Sequence, residues 1–527
     1  MTKVKTRSVK SNQAFISAEP IVKLEKTFTN PFHNAIATAR TCYSSKGIIS
    51  DDQITPQNYP LAQSIYQAGH HTVLGHAHFQ FSLANISRQF IWSFLHNHPH
   101  YNSEQVSQRY VGVKANTMAI PPLQGEALTI YRNTVEFQMA AYNRLTEVLL
   151  PVVESEYLKI FPHHNTLDKK IKAKLQKRAL EVARYVLPVA TFAYMYHTIS
   201  GITLLRYYRL CQQYDTPLEQ RIVVGRMVEE LLHYDPLYET ILEPPLDLME
   251  TPEARFFTTR PEWSDAKHRS NFLKEFDESL GSYTSKLIDY KINNERSLAD
   301  AVREVLGVPR TALDDTEAIE LALNPAGNQL LGESLNLTMM SKLGRTLHHP
   351  SYTFRKRLSH TADSQDQRHR TTPASRPILL AHLVDEPDYI TPALVSIDEG
   401  VQRIFDQTMA ESWQAISKLR QLGVEDEFVA YLLPNAATVR FSESADLLGL
   451  HHKHRMRLCY LAQEEIWRAS VEEAQQIRAI NPRLGKYLLP PCTQRHLAAK
   501  RPTCPEGDRF CGVKVWQLDI DHYQRAI

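Results

Sequence analysis

The residues from Asn102 to Val111, NSEQVSQRYV, set a carboxylate, hydroxyls, amides, a guanidinium and a phenol side by side with almost nothing apolar to bury. Glu104, Ser107, Gln108 and Arg109 in one short loop suit the wrapping of a small anionic ligand, because they offer charged and neutral hydrogen-bonding groups together. A solvated loop uses the same residue types, so the surroundings decide. A second polar cluster stands at Gln365, Arg368, His369 and Arg370. Two guanidinium forks in one segment are what a phosphate or pyrophosphate needs, although an isolated Arg-His-Arg is more often a basic surface spot. Farther on, KHRMRLCYLAQEEIWRAS has the pattern of a helix whose start carries Arg455 and Arg457, with Gln463 and Glu465 at helical spacing. Arg457 either reaches inward or pairs with a carboxylate one turn on.

The elements that must position these groups are partly readable. EPIVKLEKTF is a strand candidate, followed by a helix-like stretch ending in ATARTCYSS. From Leu61 the pattern is helix, glycine-marked break, then alternation, with His76, His78 and Gln80 between Ala77, Phe79 and Phe81. Alternation of that kind is a half-buried strand. The histidines between His70 and His98 form no helical i, i+4 pair flanking a glutamate and have no cysteine nearby, so no metal is expected there. Helical patterning covers about 126–159, and a second helical block is expected from Lys169 to Leu232. That block includes the apolar run Val186 to Leu205, near the length that spans a bilayer. Pro188, His197 and Gly201 within it fit a buried core helix better. Residues 233–295 are proline-rich, then charged, and read as a linker.

The second half replays the first. LGRTLHHPSYTFRKRL echoes AGHHTVLGHAHFQFSL, and AYLLPNAA (Ala430 to Ala437) matches ARYVLPVA (Ala183 to Ala190). An internal repeat turns a 527-residue chain, long enough for roughly three domains, into two related units. A net charge of +2 gives no reason to expect nucleic acid or a membrane surface as partner. The N-terminal MTKVKTRSVK is basic but lacks an apolar h-region, and six cysteines in so long a chain point to reduced thiols in the cytoplasm. LLPPCTQRH carries a proline–cysteine pair, but a nucleophilic thiolate needs activating cations beside it. The cluster Cys492, Cys504 and Cys511 with His496 lacks a tight C-x-x-C spacing, so it reads as a tail of reduced cysteines packed on the second copy rather than a zinc site.

Together the segments resemble the flavin-dependent thymidylate synthases. The signature of that family runs Arg-His-Arg, then an acid or amide, Ser, one residue, Arg and Tyr. A Gly-His segment and an H-x-x-F-x-F strand precede it, and an A-R-x-x-L-P segment and a late arginine before A-Q-x-E-I follow. The first copy keeps Gly69-His70 with Thr72, the strand, the loop with Glu104, Ser107, Gln108, Arg109 and Tyr110, and Arg184. It has His96-Asn97-His98 in place of Arg-His-Arg and Cys211 in place of the late arginine. The second copy keeps Gln365, Arg368, His369, Arg370, Arg457 and AQEEI, has lost the loop, and has Ala430 where the first has Arg184. The losses are complementary.

The resemblance implies an α+β fold: two tandem domains, each with helices packed on a small mixed sheet, forming an internal pseudo-dimer. The expected division is a disordered basic tail at 1–14, a first copy at 15–245, a linker at 246–295, a second copy at 296–485 and a Cys-containing extension at 486–527. It implies methylation of dUMP to dTMP, with FAD as cofactor, methylenetetrahydrofolate as one-carbon donor and NADPH as reductant, at one site composed of both copies. Gln365, Arg368, Glu104, Ser107, Gln108, Arg109, Arg184 and Arg457 would hold dUMP. His70, Thr72, Glu104, Arg368, His369 and Arg370 would hold FAD. Arg457 would be catalytic, stabilising negative charge on the uracil edge. A cytoplasmic homodimer equivalent to a tetramer of single copies is the implied assembly. Two departures bear on flavin binding: Ser200 and Ile202 in the first copy, Asp446 and Leu448 in the second, replace an Asn and an Arg of the family. The loop also has one extra residue, Val106. A nucleotide-binding protein without turnover, and alkylation of another pyrimidine nucleotide, stay open.

Overall fold

The computed structural model describes residues 14–96, 98–114, 117–164 and 168–525. The basic tail through Gln13, and Asn97 of the His-Asn-His triplet, lie outside the described residues. The first half runs β1 (Ile21–Lys26), α1 (Pro31–Thr41), α2 (Tyr59–Gln67), β2 (His78–Ser87), α3 (Arg88–Leu95) and β3 (Asn102–Gln105). It continues with α4 (Gly125–Ile160), α5 (Lys169–Ala183), β4 (Phe192–Ser200), α6 (Gly201–Arg209) and α7 (Pro217–Tyr234). Two helices intervene, α8 (Pro252–Thr259) and α9 (Ala266–Leu280).

The second half repeats the order of the first. It begins β5 (Ser285–Tyr290), α10 (Asn294–Leu306), α11 (Asp315–Leu323), β6 (Ser351–Ser359), α12 (His360–Asp366) and β7 (Ala374–Ser375). Then come α13 (Glu399–Gln421), α14 (Asp426–Val429), β8 (Thr438–Asp446), α15 (Leu447–Arg457) and α16 (Glu464–Ile480). The short α17 (Pro482–Gly485) and α18 (Pro491–Leu497) end the helical part. Each half builds one four-stranded sheet, ordered β1-β2-β4-β3 and β5-β6-β8-β7. All pairings are antiparallel, so the expected mixed sheet is corrected.

Two other expectations change. The apolar run Val186 to Leu205 is not a core helix: it is a 3-10 turn, the central strand β4 and the start of α6. Alternate residues Ala193, Met195, His197 and Ile199 are buried, while Tyr194 and Tyr196 face outward. Aromatic rings on the solvent face hid the two-residue period. The stretch read as a linker also contributes β5, the edge strand of the second sheet, and α9, which covers that sheet through Arg440 paired with Asp277 (2.8 Å). Among the described residues, no helix is long and apolar enough to cross a membrane.

The halves join along the repeated leucine–proline segments. Val189 and Ala190 donate backbone N–H groups to Leu433 and Tyr431 (2.8 and 3.0 Å), and Asn435 and Ala436 donate to Leu187 and Tyr185 (both 2.8 Å). Beside this ladder, α4 packs on α13, and Tyr131, Leu145 and Leu149 share one core with Phe405, Met409 and Ile416. A buried helix carboxylate in each half then accepts a bond from the other half. Ser87 caps α3 and donates through N–H and hydroxyl to Glu219 of α7 (2.8 and 2.6 Å), which also accepts from Tyr431 of the second half. Ser359 caps α12 and donates in the same way to Glu465 of α16 (2.6 and 2.7 Å), which accepts from Tyr185 of the first half.

Removing one such donor leaves a buried acceptor short of a partner. Tyr185→Phe and Tyr431→Phe should each lower stability by roughly 1–3 kcal/mol, read as a lower denaturation midpoint. Unchanged midpoints in both would contradict the cross-half bonds.

Candidate active site

The segment Gln365 to Arg370 leaves α12 at a point fixed by charge buried beneath it. Lys356 on β6 and Lys453 on α15 are fully buried and share the carboxylates of Asp366, Glu443 and Glu473. Lys356 Nζ lies 3.0, 3.2 and 2.8 Å from them, Lys453 Nζ 3.0, 2.5 and 3.6 Å. Burial opposes ionisation of Asp366, but the two ammonium groups hold it well below the usual carboxylate range. Removing one member would strand a buried charge, so the cluster pins the end of α12.

From that anchor the Arg-His-Arg segment reaches the first half. Arg368 Nη2 donates to Glu104 Oε2 (2.6 Å). Arg370 donates to the Pro99 carbonyl and to Asn102 Oδ1 (3.2 and 3.1 Å) and stands 5.4 Å over the Tyr101 ring. His369 turns inward, and its Nε2 accepts from Arg457 Nε (2.7 Å). Burial first, then the adjacent guanidinium, keeps His369 well below its ordinary pKa, so it is the neutral acceptor. Arg457 Nη2 donates to the Gln365 carbonyl (2.7 Å). Arg457 is the last residue of α15, not part of a helix start. The chain breaks at 458–462 and re-enters a helix with Gln463 as the N-cap of α16. Burial pushes Arg457 down to about 10, and Arg109 and Arg368 contribute, so it remains a cation at neutral pH.

The first-half loop meets it from the other side. Val106 N–H pairs with the Tyr194 carbonyl (3.1 Å), so the extra residue prolongs the pairing of β3 with β4. The Ser107 carbonyl closes the following turn by accepting from Tyr110 and Val111 (3.3 and 3.1 Å). Gln108 is buried and accepts from Asn435 Nδ2 (3.2 Å). Arg109 pairs with Glu181 through Nε and donates from Nη2 to the Leu461 carbonyl of the second half (2.8 Å). Arg184 is buried behind, its Nε donating to the Glu181 carbonyl (3.2 Å). Asn435 Nδ2 also donates to the Arg184 carbonyl (3.0 Å), so one side chain ties loop and helix end together.

Arg109, Arg368 and Arg457 line one cavity of about 1340 Å³ between the halves. Ligand cavities are usually 300–1,000 Å³, so there is room for more than one small molecule. Among the described residues its wall carries ten lysines and arginines against the carboxylates of Glu181 and Glu506. A smaller cavity of about 290 Å³, lined by Gln80, Tyr101, Glu104, Tyr196 and Arg370, shares Arg368 with it. Gln108 Nε2, Arg184 Nη2 and Gln365 Nε2 are buried donors with no acceptor among the described residues. Spare donors among buried arginines match an anionic, acceptor-rich ligand. Of the expected site residues, Ser107, Gln108, Arg184, Gln365 and His369 line neither cavity, nor do His70 and Thr72, which are exposed before β2.

Sequence reasoning missed Arg88 and Arg178, which brace the loop and its carboxylate. Arg88 donates to Gln105 Oε1 and the Val106 carbonyl (both 2.7 Å), pinning the loop after β3. Arg178 donates to Glu181 Oε1 (2.8 Å) and to the Tyr460 carbonyl (3.2 Å). The three-residue spacing of Arg178, Glu181 and Arg184, at the end of α5 and just past it, was a readable signal; Arg88 left none.

The symmetry-related position is filled. There Asp363 accepts from Arg376 Nη2 (2.9 Å) and Trp92 Nε1 (2.8 Å), and His96 Nε2 lies 3.3 Å away. Burial pushes His96 down to about 4, so it adds no cation. Among the described residues, no three histidine, cysteine or acidic side chains converge as metal ligands.

Comparisons with known proteins agree with the duplicated layout. A family described as "Thymidylate synthase complementing protein" matches residues 23–237 and again 286–483, so the chain is a tandem duplication. The chain is 25% identical over 248 residues to a flavin-dependent thymidylate synthase of Clostridium tetani, covering 43% of this chain and 92% of that one. It is 28% identical over 169 residues to the enzyme of the same name from Geobacter sulfurreducens, covering 32% and 70%. For that of Mycobacteroides abscessus the figures are 30% over 156 residues, 29% and 56%. A solved structure, the UMP/dUMP methylase PolB from Streptomyces cacaoi bound with 5-Br dUMP, is 15% identical with a TM-score of 0.29, covering 42% of this chain and 95% of that chain.

Glu181 neutralises the arginines around it. Burial would raise its pKa, but Arg109, Arg178 and Arg184 bring it down to about 2. The unfolded value is about 4.3. Its folded value lies below its unfolded one, so its stabilisation is present above about pH 4.3 and is lost as pH falls toward 2. Glu181→Gln should therefore lower stability at pH 7 and flatten the acid limb of the stability profile between those values, measured by denaturant midpoints. An acid limb identical to wild type would contradict this.

Proposed function

The chain belongs to the thymidylate synthase complementing protein family, and from that membership we propose that it methylates dUMP to dTMP at one composite site per chain, with FAD, NADPH and methylenetetrahydrofolate. The observation that carries this reading is the convergence of Arg109 from one half with Arg368 and Arg457 from the other on a single cationic cavity. The name of the relatives, flavin-dependent thymidylate synthase, supplies the reaction class and the flavin.

The residues fit a flavin nucleotide. Arg368 and Arg370 present guanidinium forks at the smaller cavity, and Glu104 and Gln80 offer polar groups beside them. When bound, FAD supplies the redox chemistry that lets a methylene unit end as a methyl group. The side chains do the rest. Arg109 and Arg368, which line the large cavity, hold the phosphate, and Ser107, Gln108, Arg184 and Gln365 are assigned to the phosphate and sugar beside them. Arg457, kept charged and aimed by neutral His369 and the Gln365 carbonyl, meets the uracil edge and stabilises charge there, which enriches C5 as a nucleophile. No enzyme thiol is required. Burial pushes Cys459 at the cavity wall up to about 11 and Cys492 up to about 12, so neither is a thiolate at neutral pH.

The two halves act as an internal pseudo-dimer, 15–245 and a second unit whose sheet begins with β5. His70 and Thr72 line neither cavity, and we place them against the flavin of a second chain in a homodimer.

The expected observations are an oxidised-flavin absorption spectrum, dTMP formation, and a loss on the order of 10²-fold in kcat/KM for Arg109→Ala, Arg368→Ala and Arg457→Ala. Because the contacts lie within one chain, mixing Arg109→Ala with Arg368→Ala protein should restore no activity. Binding of dUMP without turnover in the wild type, or rescue on mixing, would overturn the respective parts.

A further inference from the structure

The family match ends at residue 483, yet the segment beyond it forms a wall of the composite cavity. Cys492, Val515, Ile520 and Tyr523 of this tail are buried in the second half's core, with Tyr523 edge-on to Tyr460 (6.0 Å). The tail also touches the first half. Lys174 Nζ of α5 donates to the Phe510 carbonyl (3.4 Å), and Gly512, at φ +94°, runs so close to Phe161 that a Cβ would meet its ring at 2.7 Å. The tail thus straps both halves together across the cavity.

Its last described residue delivers a charge. Arg525 Nη1 donates to the Ala462 carbonyl (2.6 Å), with the guanidinium 5.9 Å over the Trp467 ring. The two carbonyls before it are taken in the same manner, Tyr460 by Arg178 (3.2 Å) and Leu461 by Arg109 (2.8 Å). Three consecutive carbonyls of the break between α15 and α16 therefore seat three guanidiniums from three distant parts of the chain. Glu181 pairs with Arg109 and Arg178. Burial, with Arg178 adding, pushes Arg525 down to about 9. Like charges crowded in a half-buried space repel, and an anion placed among them turns that cost into binding.

We propose that Arg525 is an anion-binding residue of the composite site, which with Arg109 and Arg178 takes a phosphate of the bound nucleotide. The tail is the strap that carries it there. Fixed in a fork geometry, three guanidiniums match a phosphate better than one flexible cation.

The inference rests on the nucleotide reading, and binding to the full chain separates the two. Titrations of dUMP and 2′-deoxyuridine into the FAD-loaded protein, and of FAD into apo-protein, are compared for wild type, Arg525→Ala and Arg525→Lys. Loss of one charge-assisted contact predicts dUMP binding weakened about ten- to hundredfold in Arg525→Ala, deoxyuridine unchanged, and partial recovery in Arg525→Lys. Weaker FAD binding with dUMP unchanged supports the same residue with the flavin pyrophosphate as its ligand. Equal losses for dUMP and deoxyuridine mark a structural role and overturn the proposal, as does no loss for either phosphate ligand. If the wild type binds FAD but no dUMP, the nucleotide reading fails and the FAD comparison alone decides for Arg525. Wild-type protein that binds neither overturns both.

Discussion

Two buried carboxylates, Glu219 and Glu465, tie each sheet to the opposite half. Each takes the N-cap serine of the helix after its own central strand and the tyrosine hydroxyl that crosses from the other repeat. Burial raises both carboxyls, so these bonds are what make them tolerable in a sealed interior. The same contacts hold α3 and α12, the helices that lead to the two polar segments, at a fixed distance across the ladder of residues 185–190 and 431–436. Everything at the site is positioned relative to that seam.

Around the seam the charge has been divided unequally. On one side, arginines from both halves face a cavity with few acids. On the other, Asp363, Arg376, Trp92 and a neutral His96 satisfy one another and leave no spare cation for a ligand. A duplicated chain needs only one working combination, and the buried cluster of Lys356 and Lys453 shows how the second half spends charge on holding its arginine segment still. An ion cluster of that kind is costly to break and so fixes geometry more than it adds stability.

Much of this was legible in the residues. Alternation at Ala77, Phe79 and Phe81 marked β2, the repeated leucine–proline segments marked the duplication though not the seam they form, and the polar loop and Arg-His-Arg segment meet as their complementary losses suggested. Other features left no local trace. Tyr194 and Tyr196 made the central strand look apolar on both faces. The break after Arg457 has neither glycine nor proline, so α15 and α16 read as one helix. Strand direction depends on partners about a hundred residues apart, which no local pattern encodes. Arg525 is two residues from the end of the sequence, and only its tertiary placement gives it meaning.

The central claim is that one chain makes one nucleotide site, and that both halves must contribute to it. Calorimetric titration of dUMP into the FAD-loaded protein measures this directly as moles bound per mole of chain. The account predicts a stoichiometry of one, abolished by Arg109→Ala and equally by Arg368→Ala. Two sites per chain, or a site that survives removal of either half's arginine, would contradict it.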